Sequence, residues 1–167
     1  FPTITPDNGS VIFNSAQSGN IALWKVGIDG SDPRQLTDVD SLFPAVSPDG
    51  KSLAFFSQDQ ARGKPKIVIV PSTGDPVIKS FDVSPGFVRE YHPILRWTPD
   101  GSALTYDDES NGADNIWSQP VDGKSRKPLT NFKSDSISFF AWSRDGKRLA
   151  ISHGPVTTDI VLLRDFK

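Results

Sequence analysis

Apolar residues in this chain come in short unbroken runs rather than in alternation or at helical spacing. Val11-Ile12-Phe13, Leu53-Ala54-Phe55-Phe56 and Ile67-Val68-Ile69-Val70 are the clearest. Each is rich in β-branched or aromatic residues and is bounded by Pro, Asp, Asn or Gly, which reads as a strand between tight turns. A sheet with one wet face would alternate apolar and polar positions. Consecutive apolar residues need cover on both faces.

The runs belong to a repeat. A turn-forming anchor occurs four times, as TPDNG at 5–9, SPDGK at 47–51, TPDGS at 98–102 and SRDGK at 143–147. Its second residue (Pro6, Pro48, Pro99, Arg144) recurs at spacings of 42, 51 and 45. Proline pre-sets φ, and glycine accepts the positive φ that follows; in the first copy Asn8 takes the glycine position. A second block follows each anchor. ALWKVGIDG (22–30), KIVIVPSTG (66–74), NIWSQPVDG (115–123) and DIVLLRDFK (159–167) align without gaps, and Leu-Thr recurs at 36–37 and 129–130.

Each repeat therefore predicts four short strands, A to D, joined as an antiparallel meander. Meanders of about 40–50 residues that need cover front and back point to an all-β chain, a β-propeller of four-stranded antiparallel blades. A two-sheet sandwich would leave half of the apolar side chains in water. The repeats are placed at 1–41, 42–91, 92–136 and 137–167 of a single domain, with about fifteen strands and the fourth blade lacking its outer one. The expectation is a partial propeller, part of a larger ring or completed by self-association, since two open apolar blade faces suit a soluble monomer poorly.

Composition narrows the function. A net charge of −2 argues against a general binder of nucleic acid or anionic membrane. No apolar run reaches membrane-spanning length, so no direct membrane insertion is expected in this segment. The chain has no cysteine, which removes disulfides and thiolate metal sites, and no methionine, so a longer parent product is expected.

The [ST]-P-D-G turn with its preceding aromatic or branched residue, and the block I-W-x-x-x-x-D-G-x-x-x-x-L-T, resemble the WD40-like repeat of TolB-like propellers. The resemblance implies an extracytoplasmic or periplasmic setting. The ending DIVLLRDFK resembles the C-terminus of propellers fused behind bacterial serine/threonine kinase domains. It implies a sensor module attached to a receptor-like kinase, with a hydrolase or peptidase accessory propeller, or a metal-dependent propeller enzyme, as the alternative. No kinase motif stands in the chain itself.

Candidate chemistry is sparse. His92 and His153 have no nucleophile elbow or H-E-x-x-H beside them, so no catalytic residue is assigned. The stretch Asp107–Asp114 partly imitates a calcium loop but lacks the twelfth-position glutamate, so calcium is a possible ligand and no cofactor is expected. Trp24, Trp97, Trp117 and Trp142 read as inter-blade packing. Lys124-Ser125-Arg126-Lys127 reads as a wet loop end.

In a propeller the D-to-A and B-to-C connections share one end. Assigning 14–20, 38–42, 57–65, 82–92, 107–115, 131–137 and 152–158 to that end gives ten acids against four bases. Such a face would steer a cationic peptide or protein patch. The ligand-binding candidates are Asp107, Asp108, Glu109, Asp114, Asp38 and Asp40, with a protein or peptide partner and no nucleic acid.

Overall fold

The structure, a computed structural model, describes residues 2–58, 65–83, 94–110 and 112–155. Three consecutive four-stranded antiparallel meanders and a fourth, two-stranded sheet make up these residues. Blade 1 comprises β1 (Thr3–Ile4), β2 (Ser10–Ser15), β3 (Ala22–Gly27) and β4 (Arg34–Gln35). Blade 2 comprises β5 (Leu42–Val46), β6 (Ser52–Gln58), β7 (Pro65–Pro71) and β8 (Lys79–Asp82). Blade 3 comprises β9 (Leu95–Trp97), β10 (Ala103–Ser110), β11 (Ala113–Pro120) and β12 (Lys127–Pro128), and blade 4 shows β13 (Ser136–Trp142) and β14 (Leu149–Gly154). The third strand read at 159–167 lies outside the described residues.

The four anchors fold alike, and the reason is a hydroxyl relay. In blade 2, Ser47 Oγ donates to Asp49 Oδ1 at 2.6 Å and accepts the Ser52 N–H at 2.9 Å. The same carboxylate oxygen accepts the Lys51 N–H at 3.1 Å. Thr5, Thr98 and Ser143 repeat this arrangement with Asp7, Asp100 and Asp145. The hydroxyl hydrogen bond, with a backbone N–H behind it, holds each of these four carboxyls below the usual aspartate range. Asn8 occupies the position of Gly50, Gly101 and Gly146 at φ 59°, against 70–72° for the glycines.

The Leu-Thr block closes strand D onto strand C. Leu36 N–H donates to the Leu23 carbonyl at 2.7 Å, and Thr37 Oγ1 accepts the Leu23 N–H at 2.9 Å. Leu129 and Thr130 make the same two bonds to Ile116. A leucine N–H and a threonine hydroxyl for the ladder thus complete a strand of only two residues, and Leu36, unlike Leu129, is also buried in the core.

Because successive strand residues point to opposite faces, the apolar runs fill two interfaces at once. Ile12, Leu23 and Leu36 of blade 1 pack on Leu53, Phe55, Val68 and Val70 of blade 2. Ala54, Phe56, Ile67 and Ile69, on the other face of blade 2, pack on Leu95, Leu104 and Tyr106 of blade 3. Ile116 of blade 3 meets Ile137 and Phe140 of blade 4. Tryptophans pin neighbouring blades: Trp97 Nε1 donates to the Ala45 carbonyl and Trp142 Nε1 to Thr105 Oγ1, both at 3.0 Å. Trp117 packs against the core between blades 2 and 3. Trp24, paired across the strands with Phe13, lies on the face of blade 1 turned away from blade 2.

Candidate functional site

Connections B-to-C and D-to-A do meet at one end of the blades. In blade 1, Asn20 Nδ2 donates to the Asp38 carbonyl at 2.7 Å, and Asp40 Oδ1 accepts the Ile21 N–H at 3.1 Å. Asn14 Nδ2 donates to the Ser41 carbonyl. In blade 3, Asp114 N–H donates to the Asp135 carbonyl at 3.2 Å. Asn115 Oδ1 accepts the Phe132 N–H at 2.7 Å, which fastens the chain leaving strand D. Asp38 and Asp135 are exposed, and Asp40 and Glu109 are half-buried.

The acidic stretch 107–114 differs from its sequence reading. Asp107–Ser110 and Ala113–Asp114 are strand, not loop: β10 pairs with β11 up to Ser110–Ala113, with Glu109 opposite Asp114. Alternation then divides the carboxylates. Asp107 shares the face of Thr105 toward blade 4, with Glu109 and Asp114, while Asp108 shares the face of Tyr106 toward blade 2. Among the described residues no three His, Asp or Glu side chains stand together as metal ligands.

Each of these acids has local work. Asp114 is buried, and its Oδ2 accepts the Ile137 N–H at 3.0 Å, tying blade 3 to blade 4. Asp107 Oδ1 accepts the Ile94 N–H at 2.9 Å. Burial, aided by the nearby Asp114 and Asp108 charges, pushes the Asp107 carboxyl up to about 6 despite that hydrogen bond. Asp108, its side chain 1% exposed, receives Arg126 Nη1 at 2.6 Å.

Arg126 is what the sequence reading missed. Its guanidinium leaves the C-to-D turn, lies 4.2 Å from the centroid of the Trp117 ring and also donates to Tyr106 Oη at 2.9 Å. The basic run is therefore not uniformly a wet loop end: Lys124 pairs with Asp122 in solvent, whereas Arg126 turns inward. An arginine three residues before the Leu-Thr block, with an aromatic and an acid two residues apart in strand B, is a spacing that could have signalled it.

His153 stacks on Phe132 at 4.0 Å between centroids, and its Nε2 lies 2.9 Å from the Ser134 carbonyl. His92 lies outside the described residues. At the opposite end of the blades, a cleft of about 400 Å³ between blades 2 and 3 is lined by Ser47, Ile69, Ile78, Trp97 and Val121. It is bridged by Lys79 Nζ donating to the Val121 carbonyl.

No family model matches the chain. An uncharacterized protein of Agrobacterium fabrum is 30% identical over 113 residues, 63% of this chain and 38% of that protein. The crystal structure of TolB from Acinetobacter baumannii matches with a TM-score of 0.73 and 25% identity over 95% of this chain. The β-propeller domain of the trilobed protease from Pyrococcus furiosus, described as having an open velcro topology, matches with a TM-score of 0.63. That match has 17% identity over 93% of this chain and 49% of the domain. The chain spans 38% of the length of both the Agrobacterium protein and the Acinetobacter TolB. Its anchors, its meanders of four strands and these likenesses agree: the chain folds as stacked β-propeller blades similar to those of TolB.

Proposed function

We propose that the chain is a non-catalytic recognition module whose B-to-C and D-to-A end receives a cationic peptide or a basic patch of a partner protein. The observation that carries this is the gathering of acid-bearing connections at one end of stacked, rigid blades. Loops on a rigid scaffold are where recognition residues sit. Among the described residues Asp38, Asp40, Asp82, Glu109 and Asp135 are carboxylates with solvent access there, whereas Asp108 and Asp114 are buried in the strands behind them.

Resemblance supports the wider setting of this reading. On this reading the module belongs to an extracytoplasmic protein, as the sensing part of a receptor-like serine/threonine kinase, and self-associates. The likeness to the propeller of the trilobed protease favours a second reading, an accessory propeller beside a peptidase domain.

A lysine- and arginine-rich decapeptide, titrated calorimetrically at low ionic strength, tests the recognition face. The expected outcome is salt-sensitive binding, weakened about tenfold or more in the combined variant Asp38→Asn, Asp40→Asn, Glu109→Gln, Asp135→Asn, because rim charges act through long-range attraction. Binding of equal strength in that variant, or none in the parent chain, would reject this face.

A further inference from the structure

We propose that the cleft between blades 2 and 3 is a docking site for a peptide segment of a partner protein, one that carries an aliphatic residue beside a lysine or arginine. The cleft lies at the end of the blades opposite the acid-bearing connections, so it is a second site, independent of the recognition face above.

Both walls belong to complete four-stranded blades. Ile69 and Ile78 come from blade 2, and Trp97 and Val121 from blade 3. The repeat supplies an internal control on their chemistry. Cross-strand register sets Lys79 opposite Ile69, as it sets Arg34 opposite Lys25 in blade 1 and Lys127 opposite Ser118 in blade 3. Ile78 therefore holds the place of Pro33 in blade 1 and of Arg126 in blade 3. At the junction of blades 1 and 2, the places of Ile69, Ile78, Trp97 and Val121 are taken by Lys25, Pro33, Val46 and Ser72. Blades that stack on lysine, serine and arginine at these positions show that the fold does not need them apolar. Ile78 is nevertheless 52% exposed, with Val77 beside it at 56%. Apolar side chains held in solvent and rimmed by charge mark a contact surface. The volume of about 400 Å³ falls within the range of ligand clefts, roughly 300–1,000 Å³.

The same replacement takes away a cation. Lys25 draws down the carboxyl of Asp7 in blade 1, and Ile69 stands in its place behind the matching Asp49. Asp49 has Lys51 nearby, but among the described residues no cation pairs with Asp100 on the facing wall. Lys79, the cation that lines the cleft, donates to the Val121 carbonyl. An aliphatic side chain between the isoleucines and Trp97, with an ammonium or guanidinium reaching Asp100, complements both features. The walls are set in advance: Trp97 is fixed by its bond to the Ala45 carbonyl and Lys79 straps one blade to the next, which lowers the ordering cost of binding.

Calorimetric titration of the whole chain with the capped hexapeptide Gly-Lys-Leu-Ile-Lys-Gly at low ionic strength is the test. Binding is expected, weakened at least tenfold when serines replace the leucine and isoleucine and about threefold or more when glutamines replace the lysines. Ile78→Lys, at an exposed position, should leave the unfolding midpoint in urea unchanged and weaken the parent peptide at least tenfold. The combined variant Asp38→Asn, Asp40→Asn, Glu109→Gln, Asp135→Asn, altered at the other end, should bind the hexapeptide as the parent chain does. No heat up to about 1 mM peptide, a limit that corresponds to the weakest specific affinities, would overturn the proposal. Equal binding by Ile78→Lys or by the serine peptide would overturn it as well. Binding lost in the combined variant and kept in Ile78→Lys would move the peptide to the acidic end and leave the recognition face standing without this cleft.

Discussion

Asp107 sits among carboxylates in a strand, with a folded-state pKa of about 6 against an ordinary 3.8. A raised carboxyl pKa means that folding favours the protonated form. The contribution is whole below about pH 4 and is lost as pH rises through 6, so the charged side chain costs the neutral fold about 2–3 kcal/mol. Asp107→Asn keeps an oxygen for the Ile94 N–H and removes the charge. The variant should be more stable than the parent by about 2 kcal/mol near pH 7.5 and equal to it near pH 4, as read by urea unfolding at both values. A loss near pH 7.5 would contradict the burial argument. The shift was not legible in sequence, because Asp107 reads there as a loop acid and only strand pairing buries it. Asn8 was legible, since its place in the anchor demands positive φ and asparagine tolerates it. The anchor's serine or threonine was seen as a pattern without its chemistry: its two hydrogen bonds, to a carboxylate two residues on and an N–H five residues on, exist only once the turn closes.

At the scale of the element, the β10–β11 hairpin shows where the sequence reading runs out. Repeats located strands B and C correctly, but their ends were drawn where apolar character stops, at Tyr106 and Asn115. Pairing continues through Asp107–Ser110 because acids at a blade margin are satisfied by neighbouring chain, as Ile94, Ile137 and Arg126 show. The Arg126–Asp108 pair is the costliest of these to break. Arg126→Ala leaves a carboxylate buried without its cation and strips the guanidinium from Trp117, for a loss of about 3 kcal/mol. In an Asp108→Asn background the same change should cost about 1 kcal/mol or less, since the orphaned charge is gone. A thermodynamic cycle of the four proteins in urea measures the difference, and strict additivity would show that the two side chains do not act as a pair.

Across the whole molecule, the fold was legible because repetition and consecutive apolar residues carry it redundantly: four anchors, four strand-C blocks and two-faced strands all demand blades stacked on blades. The recognition face was legible only as a charge bias. Its residues serve two roles, and telling Asp38 and Asp135 in solvent from Asp108 and Asp114 within the sheet requires the register. The central claim is that a blade flanked by two others is hidden on both faces. Phe55 and Phe56 are neighbours in β6 that point in opposite directions, 1% and 4% exposed, one toward blade 1 and the other toward blade 3. Urea unfolding of Phe55→Ala and Phe56→Ala, measured side by side, tests it most directly. Stacked blades predict that each substitution costs about 3–5 kcal/mol. A sheet with one wet face would make one of the two nearly neutral, within about 0.5 kcal/mol of the parent, and that result would contradict the architecture.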